Sequence, residues 1–271
     1  MSAAADAAPV GDGPGGPSAD GAPAPDRTGA AAADGAMTVL FWDIDGTLLS
    51  TARAGVFALE DAAEALLGGR PDFSTLDTAG LTDHAIAALA LQSEVGDASV
   101  ESVHRFVSIY ERQLPERLSM RRGTVMPHVR ELLEALGGRA DVLSLLLTGN
   151  TRAGAQAKLG HYGLAAHFAD GGDGPDGAFS QDLGSRESVA RRARELASER
   201  LGQALDPDRA FVIGDTPHDV AAGRAIGART VVVATGTYAL ADLERLDPWW
   251  ALEALPEPRE FAERLGLAPA G

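Results

Sequence analysis

Val39-Leu40-Phe41-Trp42-Asp43-Ile44-Asp45-Gly46-Thr47-Leu48-Leu49 is the stretch whose reading decides the fold. Four large apolar residues of high strand preference run into two acids, a glycine and a threonine, after which two leucines resume. The pattern is that of a buried strand stopping at a pair of carboxylates. On an extended strand residues i and i+2 point the same way, so Asp43 and Asp45 lean into one site at its carboxyl end. Two acids aimed at one place are costly unless something cationic joins them. Gly46 frees the backbone for a sharp turn, and Thr47 can hydrogen-bond that turn through its hydroxyl. Taken alone, Asp-Gly after a strand is equally an ordinary turn.

Two later stretches give the first its meaning. Leu145-Leu146-Leu147-Thr148-Gly149-Asn150 is a second apolar strand, ending in a hydroxyl. Phe211-Val212-Ile213-Gly214-Asp215-Thr216-Pro217-His218-Asp219 is a third, ending in carboxylates. Around them the pattern alternates: helix 127–136, strand 142–147, helix 152–161, a short strand near Phe168, helix 185–201, strand 210–214, helix 217–226 and strand 229–234. An edge strand at Trp249 to Leu252 and a final helix complete the chain. Strands spaced by helices imply parallel crossovers and a three-layer α/β core. In such sheets ligands bind outside the carboxyl ends of the strands, where all three motifs fall. Gly227 stands where a helix terminator belongs, and Pro217 at a first helical position.

Between the first and second of these strands the period changes to that of helices. Val103, Val107, Tyr110 and Leu114 share one helical face, as nearly do Val56, Leu59, Ala63 and Leu66. Thr82 can cap a third helix through its hydroxyl. Residues 1–36 are almost entirely Ala, Gly, Pro and Asp, too poor in large apolar groups to offset the entropy of ordering them. Met37, directly before the first strand, is the expected true start of translation. The formal net charge of -16 disfavours nucleic acid and anionic membrane as partners, because both need basic surface. With no cysteine, disulfides, thiolate metal sites and a cysteine nucleophile are excluded, which fits a cytoplasmic protein.

The three motifs, in this order, resemble those of the haloacid dehalogenase-like (HAD) hydrolase superfamily, from about Met37 to the end of the chain. The resemblance implies a Rossmann-like α/β core over residues 37–50 and 121–271, with a helical cap inserted at 51–120. Gly80-Leu81-Thr82-Asp83 is similar to a cap turn of phosphoglycolate phosphatase-like members. The superfamily pattern makes Asp43 the nucleophile that forms an aspartyl-phosphate, and Asp45 the general acid and then base. Dehalogenases of the superfamily typically lack the second aspartate, so Asp45 favours phosphoryl transfer. Mg2+ is the implied cofactor, held by the Asp43 carboxylate, the Asp45 backbone carbonyl and Asp215, with Thr47 and Asp219 behind them. Thr148, Gly149 and Asn150 would bind the substrate phosphate.

The chain departs from the family at one point. The family usually carries a phosphate-holding lysine before its fourth strand, whereas the sole lysine here is Lys158, ten residues beyond Thr148 on a helix leading away. At 1.5 Å per residue that is up to about 15 Å, which puts Lys158 out of reach and makes Arg186 the expected catalytic, phosphate-holding cation. The expected activity is Mg2+-dependent hydrolysis of a small-molecule phosphomonoester, by a monomer or homodimer. A phosphomutase of the same chemistry is the alternative, ahead of a dehalogenase or an idle binding module.

Overall fold

A computed structural model describes residues 37–71, 73, 78–169, 174–181 and 184–267. The N-terminal tail, residues 1–36, lies outside the described residues. The opening stretch forms β1 (Thr38–Trp42), buried throughout. It lies in a six-stranded parallel sheet with β4 (Val142–Leu147), β5 (Gly177–Ala178), β6 (Ala210–Gly214), β7 (Arg229–Val233) and β8 (Trp250–Leu252), in the order β5-β4-β1-β6-β7-β8. The short β2 (Leu49–Ser50) and β3 (Thr124–Val125) pair antiparallel outside it, where the chain leaves the sheet and returns. Register then places the chemistry: Trp42 sits beside both Leu146 and Ile213, so β1, β4 and β6 end abreast. Asp43, Thr148 and Asp215 follow within two residues of those positions and emerge along one edge.

Strand alternation assigns each residue of β1 to a layer. Leu40 and Trp42 face α4 (Val129–Gly137), α5 (Arg152–His161) and α9 (Pro258–Arg264), packing with Leu132, Leu159 and Phe261. Val39 and Phe41 face α6 (Arg186–Leu201) and α7 (Pro217–Ile226), through Val189, Ala193 and Ile226. The result is a three-layer α/β sandwich. The inserted segment folds as α1 (Ala54–Leu67), α2 (Asp83–Val95) and α3 (Val100–Ser119) around an apolar cluster of its own that includes Leu59, Ile86, Val103, Phe106, Tyr110 and Leu114. Thr82 caps α2, its Oγ1 accepting from the Ala85 amide at 3.2 Å. A short α8 (Leu240–Glu244) links β7 to β8. No helix among the described residues is long and apolar enough to cross a membrane.

The expected strand near Phe168 is absent. Ala165–Phe168 is a single 3-10 turn, and the strand that pairs with β4 at this edge is β5, nine residues further on. Phe168 is buried, so its apolar character marked contact with the core and not extended backbone.

Candidate active site

At the carboxyl edge of the sheet the acids separate into two environments. Ile44 turns into the core, and its neighbours Asp43 and Asp45 line one cavity of about 600 Å³ together with Gly149, Asn150, Lys158, Arg186 and Asp215. Asp43 is buried, and Arg186 NH2 lies 2.8 Å from its Oδ1. The same guanidinium nitrogen donates to Asp219 Oδ1 at 2.5 Å. Arg186 is the first residue of α6, whose cap is the Ser185 hydroxyl. That cap fixes where the helix starts, and so where the guanidinium points.

Asp215, the residue after β6, is held by its surroundings. The Thr47 hydroxyl donates to Asp215 Oδ1 at 3.2 Å, going to this carboxylate across the sheet edge and not to its own turn. Gly46 lies against the same carboxylate: a Cβ there would stand 2.2 Å from Asp215 Oδ2, and its φ of +83° is left-handed. Only glycine allows this approach. Asp219 caps α7, its Oδ2 accepting from the Thr216 amide and hydroxyl at 3.0 and 2.7 Å, while Oδ1 faces Arg186. Carboxylate oxygens of Asp43, Asp215 and Asp219 all fall within 4.8 Å of one another. Both Asp219 oxygens already accept hydrogen bonds, and Asp219 does not line the cavity that Asp43 and Asp215 share.

This crowding has an electrostatic signature. Burial first, then the neighbouring carboxylate charges, push the Asp215 carboxyl well above its ordinary range. Burial and the charges of Asp219 and Asp45 likewise raise Asp43, against the lowering pull of Arg186. Three acids around one guanidinium remain short of positive charge, and a hard divalent cation with oxygen ligands fits that donor set.

Asp45 is the open member, its side chain 43% exposed to the cavity. Lys158 Nζ approaches Asp45 Oδ2 at 2.5 Å and also bonds Asn150 Oδ1, and Asn150 Nδ2 donates to Asp45 Oδ2 at 2.8 Å. The sequence-based placement of Lys158 out of reach is therefore corrected. Helical side chains slant toward the N-terminus, and a lysine's four-carbon stem covers much of the distance that the helical rise adds. Lys158 is buried, which alone would lower its pKa, but the charges of Asp45 and Asp83 outweigh burial and hold it above its ordinary value. Thr148 lies fully buried beneath the cavity, its hydroxyl accepting from Asn150 Nδ2 at 2.9 Å, which leaves its own proton for another partner. His218, between the two acids of the third motif, is half-buried.

Sequence reasoning missed two participants. Lys158 was visible as the sole lysine and misjudged on distance. Asp83 closes the Gly80–Asp83 stretch that resembles a cap turn, and nothing local shows that its carboxylate meets the opposite side of the cavity.

With this geometry in place the comparisons fall into line. The family model described as haloacid dehalogenase-like hydrolase matches residues 40–224, and a second, HAD-hydrolase-like model matches 187–264. The chain belongs to the haloacid dehalogenase-like hydrolase family. No curated protein matches it. Among solved structures it is similar to a predicted phosphoglycolate phosphatase from Haemophilus somnus, at 17% identity and a TM-score of 0.61 over 80% of this chain and 94% of that one. It is also similar to a predicted β-phosphoglucomutase from Bacteroides vulgatus, at 19% and 0.60 over 85% and 89%. A hydrolase from Pseudomonas syringae matches at 21% and 0.58 over 84% and 97%.

Proposed function

We propose that the chain hydrolyses the phosphomonoester of a small phosphorylated metabolite through an aspartyl-phosphate on Asp43, with Mg2+ as cofactor. The observation that carries this reading is the division of labour between two carboxylates of one cavity. Asp43 is buried against a guanidinium, and Asp45 is open to the cavity and held by Lys158 and Asn150. The buried oxygen is placed to attack and the open one to exchange protons.

In the first step an Asp43 oxygen forms a bond to phosphorus as the ester P–O bond breaks, and Asp45 delivers its proton to the departing alkoxide. In the second, Asp45 takes a proton from a water that attacks the same phosphorus, and the Asp43–phosphorus bond breaks to release inorganic phosphate. Arg186, the Thr148 hydroxyl and the amides of Gly149 and Asn150 are the groups this chain offers to the phosphoryl oxygens. Asp43, Asp215 and the Asp45 backbone carbonyl would hold Mg2+, which when bound supplies the positive charge that the clustered carboxylates and an incoming phosphate require. The substrate is then a soluble metabolite of the cytoplasm, taken by a monomer or homodimer without nucleic acid or membrane.

A phosphomutase would share every residue and pass the phosphoryl group to a sugar hydroxyl in place of water. The seating of α2 directly on the Gly149–Thr151 turn favours keeping that second reading, since a closed cap limits water. A panel of phosphorylated metabolites assayed with Mg2+, with and without EDTA, tests both. Inorganic phosphate released only with metal supports the phosphatase, and a positional isomer without phosphate release supports the mutase. Turnover undiminished by EDTA would count against the cofactor.

A further inference from the structure

At the start of α2, Asp83 grips the turn that carries Asn150, and His84 meets a residue, Ser180, that also bonds it. The Asp83 amide donates to the Gly149 carbonyl at 2.7 Å, while its Oδ2 accepts from the Thr151 amide at 2.8 Å. One residue of the cap thus holds the turn on both sides of Asn150. The third backbone group, the Asn150 carbonyl, accepts from the Ser180 amide at 2.8 Å. Ser180 in turn meets the cap, its Oγ lying 2.7 Å from His84 Nδ1. The approach is close enough that a Cβ on Gly149 would stand 2.4 Å from the Leu81 carbonyl oxygen.

What this turn carries is the support of the proton donor. The Asn150 side chain donates to Asp45 and to Thr148, and its carbonyl oxygen meets Lys158. Asp83 is buried, is hydrogen-bonded by the Tyr110 hydroxyl of α3, and touches neither Asp43 nor Asp45. A buried carboxylate that is expensive to desolvate, and that spends its oxygen on an amide of the opposite layer, is not accounted for by capping α2, because Thr82 does that.

The geometry points to Asp83 as a positioning residue that makes the general acid depend on the cap. With the cap seated, Asp83 fixes the Gly149–Thr151 turn, the turn fixes Asn150, and Asn150 with Lys158 aims Asp45 at the leaving group. With the cap lifted, both contacts on the turn are lost and Asp45 loses its aim, so substrate meets a competent acid only in the closed form. This rests on the phosphatase reading and goes beyond it by naming what switches the acid on.

The test uses leaving groups of different need. Departing p-nitrophenolate requires little protonation, and an alkoxide requires it fully. For Asp83→Ala, kcat/KM, which reports only the phosphorylation step where the two leaving groups differ, is expected to fall at least about tenfold on the best alkyl phosphate of the metabolite panel and less than about threefold on p-nitrophenyl phosphate. Asp83→Asn, whose amide oxygen still accepts from Thr151, should recover most of the loss. If Asp83→Ala does not fold, Asp83→Ser, also too short to reach Thr151, carries the same expectation. Equal losses on the two esters, or an Asn variant no better than Ala, would overturn the proposal and leave Asp83 a structural contact. A wild type with no alkyl phosphate substrate would instead remove the phosphatase reading, and the proposal with it.

Discussion

Two ion pairs stand side by side at the sheet edge and differ in one respect. Arg186 with Asp43 and Asp219 is closed off, with side chains 3%, 8% and 1% exposed, while Lys158 with Asp45 is a buried cation holding a carboxylate that is 43% exposed. The closed pair presents a fixed, poorly hydrated oxygen, which suits a nucleophile. The open pair leaves its carboxylate in contact with the cavity, where a proton must come from and go to. Arginine suits the first place, because one guanidinium nitrogen with two hydrogens serves two acids at once, and lysine suits the second, as a compact charge on a long stem. The difference teaches that burial places two aspartates two positions apart in different environments, which is what the roles proposed for them require.

The comparison breaks most plainly at the nucleophile. Asp43→Asn keeps the shape and removes the attacking charge, so turnover should fall by about 10⁴-fold or more, with no phosphorylated enzyme recoverable after acid quench. Its melting temperature should hold or rise, because one of three crowded carboxylates is gone. Residual turnover within tenfold of wild type would assign the nucleophile elsewhere. Asp45→Asn should cost about 10² to 10⁴ in kcat/KM on alkyl phosphates and less on p-nitrophenyl phosphate, since kcat/KM reports the phosphorylation step, in which only the alkoxide needs a proton. Equal losses on both would deny it the acid role.

The two cations sharpen the contrast further. Each alanine variant should lose about a hundredfold in kcat, as when one preorganised donor is removed. Their stabilities should part. Arg186→Ala strands two buried carboxylates and should cost about 3 kcal/mol or more, whereas Lys158→Ala leaves an Asp45 that water can reach, at roughly 1 kcal/mol. Urea midpoints for both variants decide this. Identical midpoints would mean that the open and closed pairs are energetically alike.

Much of this fold could be read from periodicity because each site strand is an apolar run stopped by its own chemistry. β1 ends one residue before Asp43, β4 one before Thr148 and β6 one before Asp215. Helix ends were legible where a cap was local, as at Thr82, Pro217 and Gly227. What escaped was everything set by distant partners. β5 is two residues pairing with Leu146 and Leu147, with no apolar run to announce it. β2 and β3 are joined across the whole cap. Lys158 was misplaced because rise along a helix was counted and the backward slant of its side chain was not. The reach of Asp83 to Thr151 was hidden, since sequence records which residues share an element and not which elements meet.

The smallest effect expected concerns that same Asp83, and it extends the comparison of open and closed acids to the cap. Its carboxyl is raised to about 6, by burial first, with the charges of Asp45 and Glu111 adding and Lys158 and the Thr151 amide opposing. Because the folded value lies above the unfolded one, the native state binds this proton more tightly. The stabilisation is fully present below about 3.8 and is lost as pH rises through about 6. Asp83→Asn has no such proton to lose and keeps an acceptor for Thr151. The unfolding free energy of Asp83→Asn minus that of wild type, from paired urea melts, should therefore grow from pH 4 to pH 7.5, by an amount on the order of 1 kcal/mol and at most about 3. Taking the difference at each pH cancels the titration of the other acids, which both proteins share. A difference that stays flat, or shrinks as pH rises, would show that Asp83 is ionised without cost in the folded state.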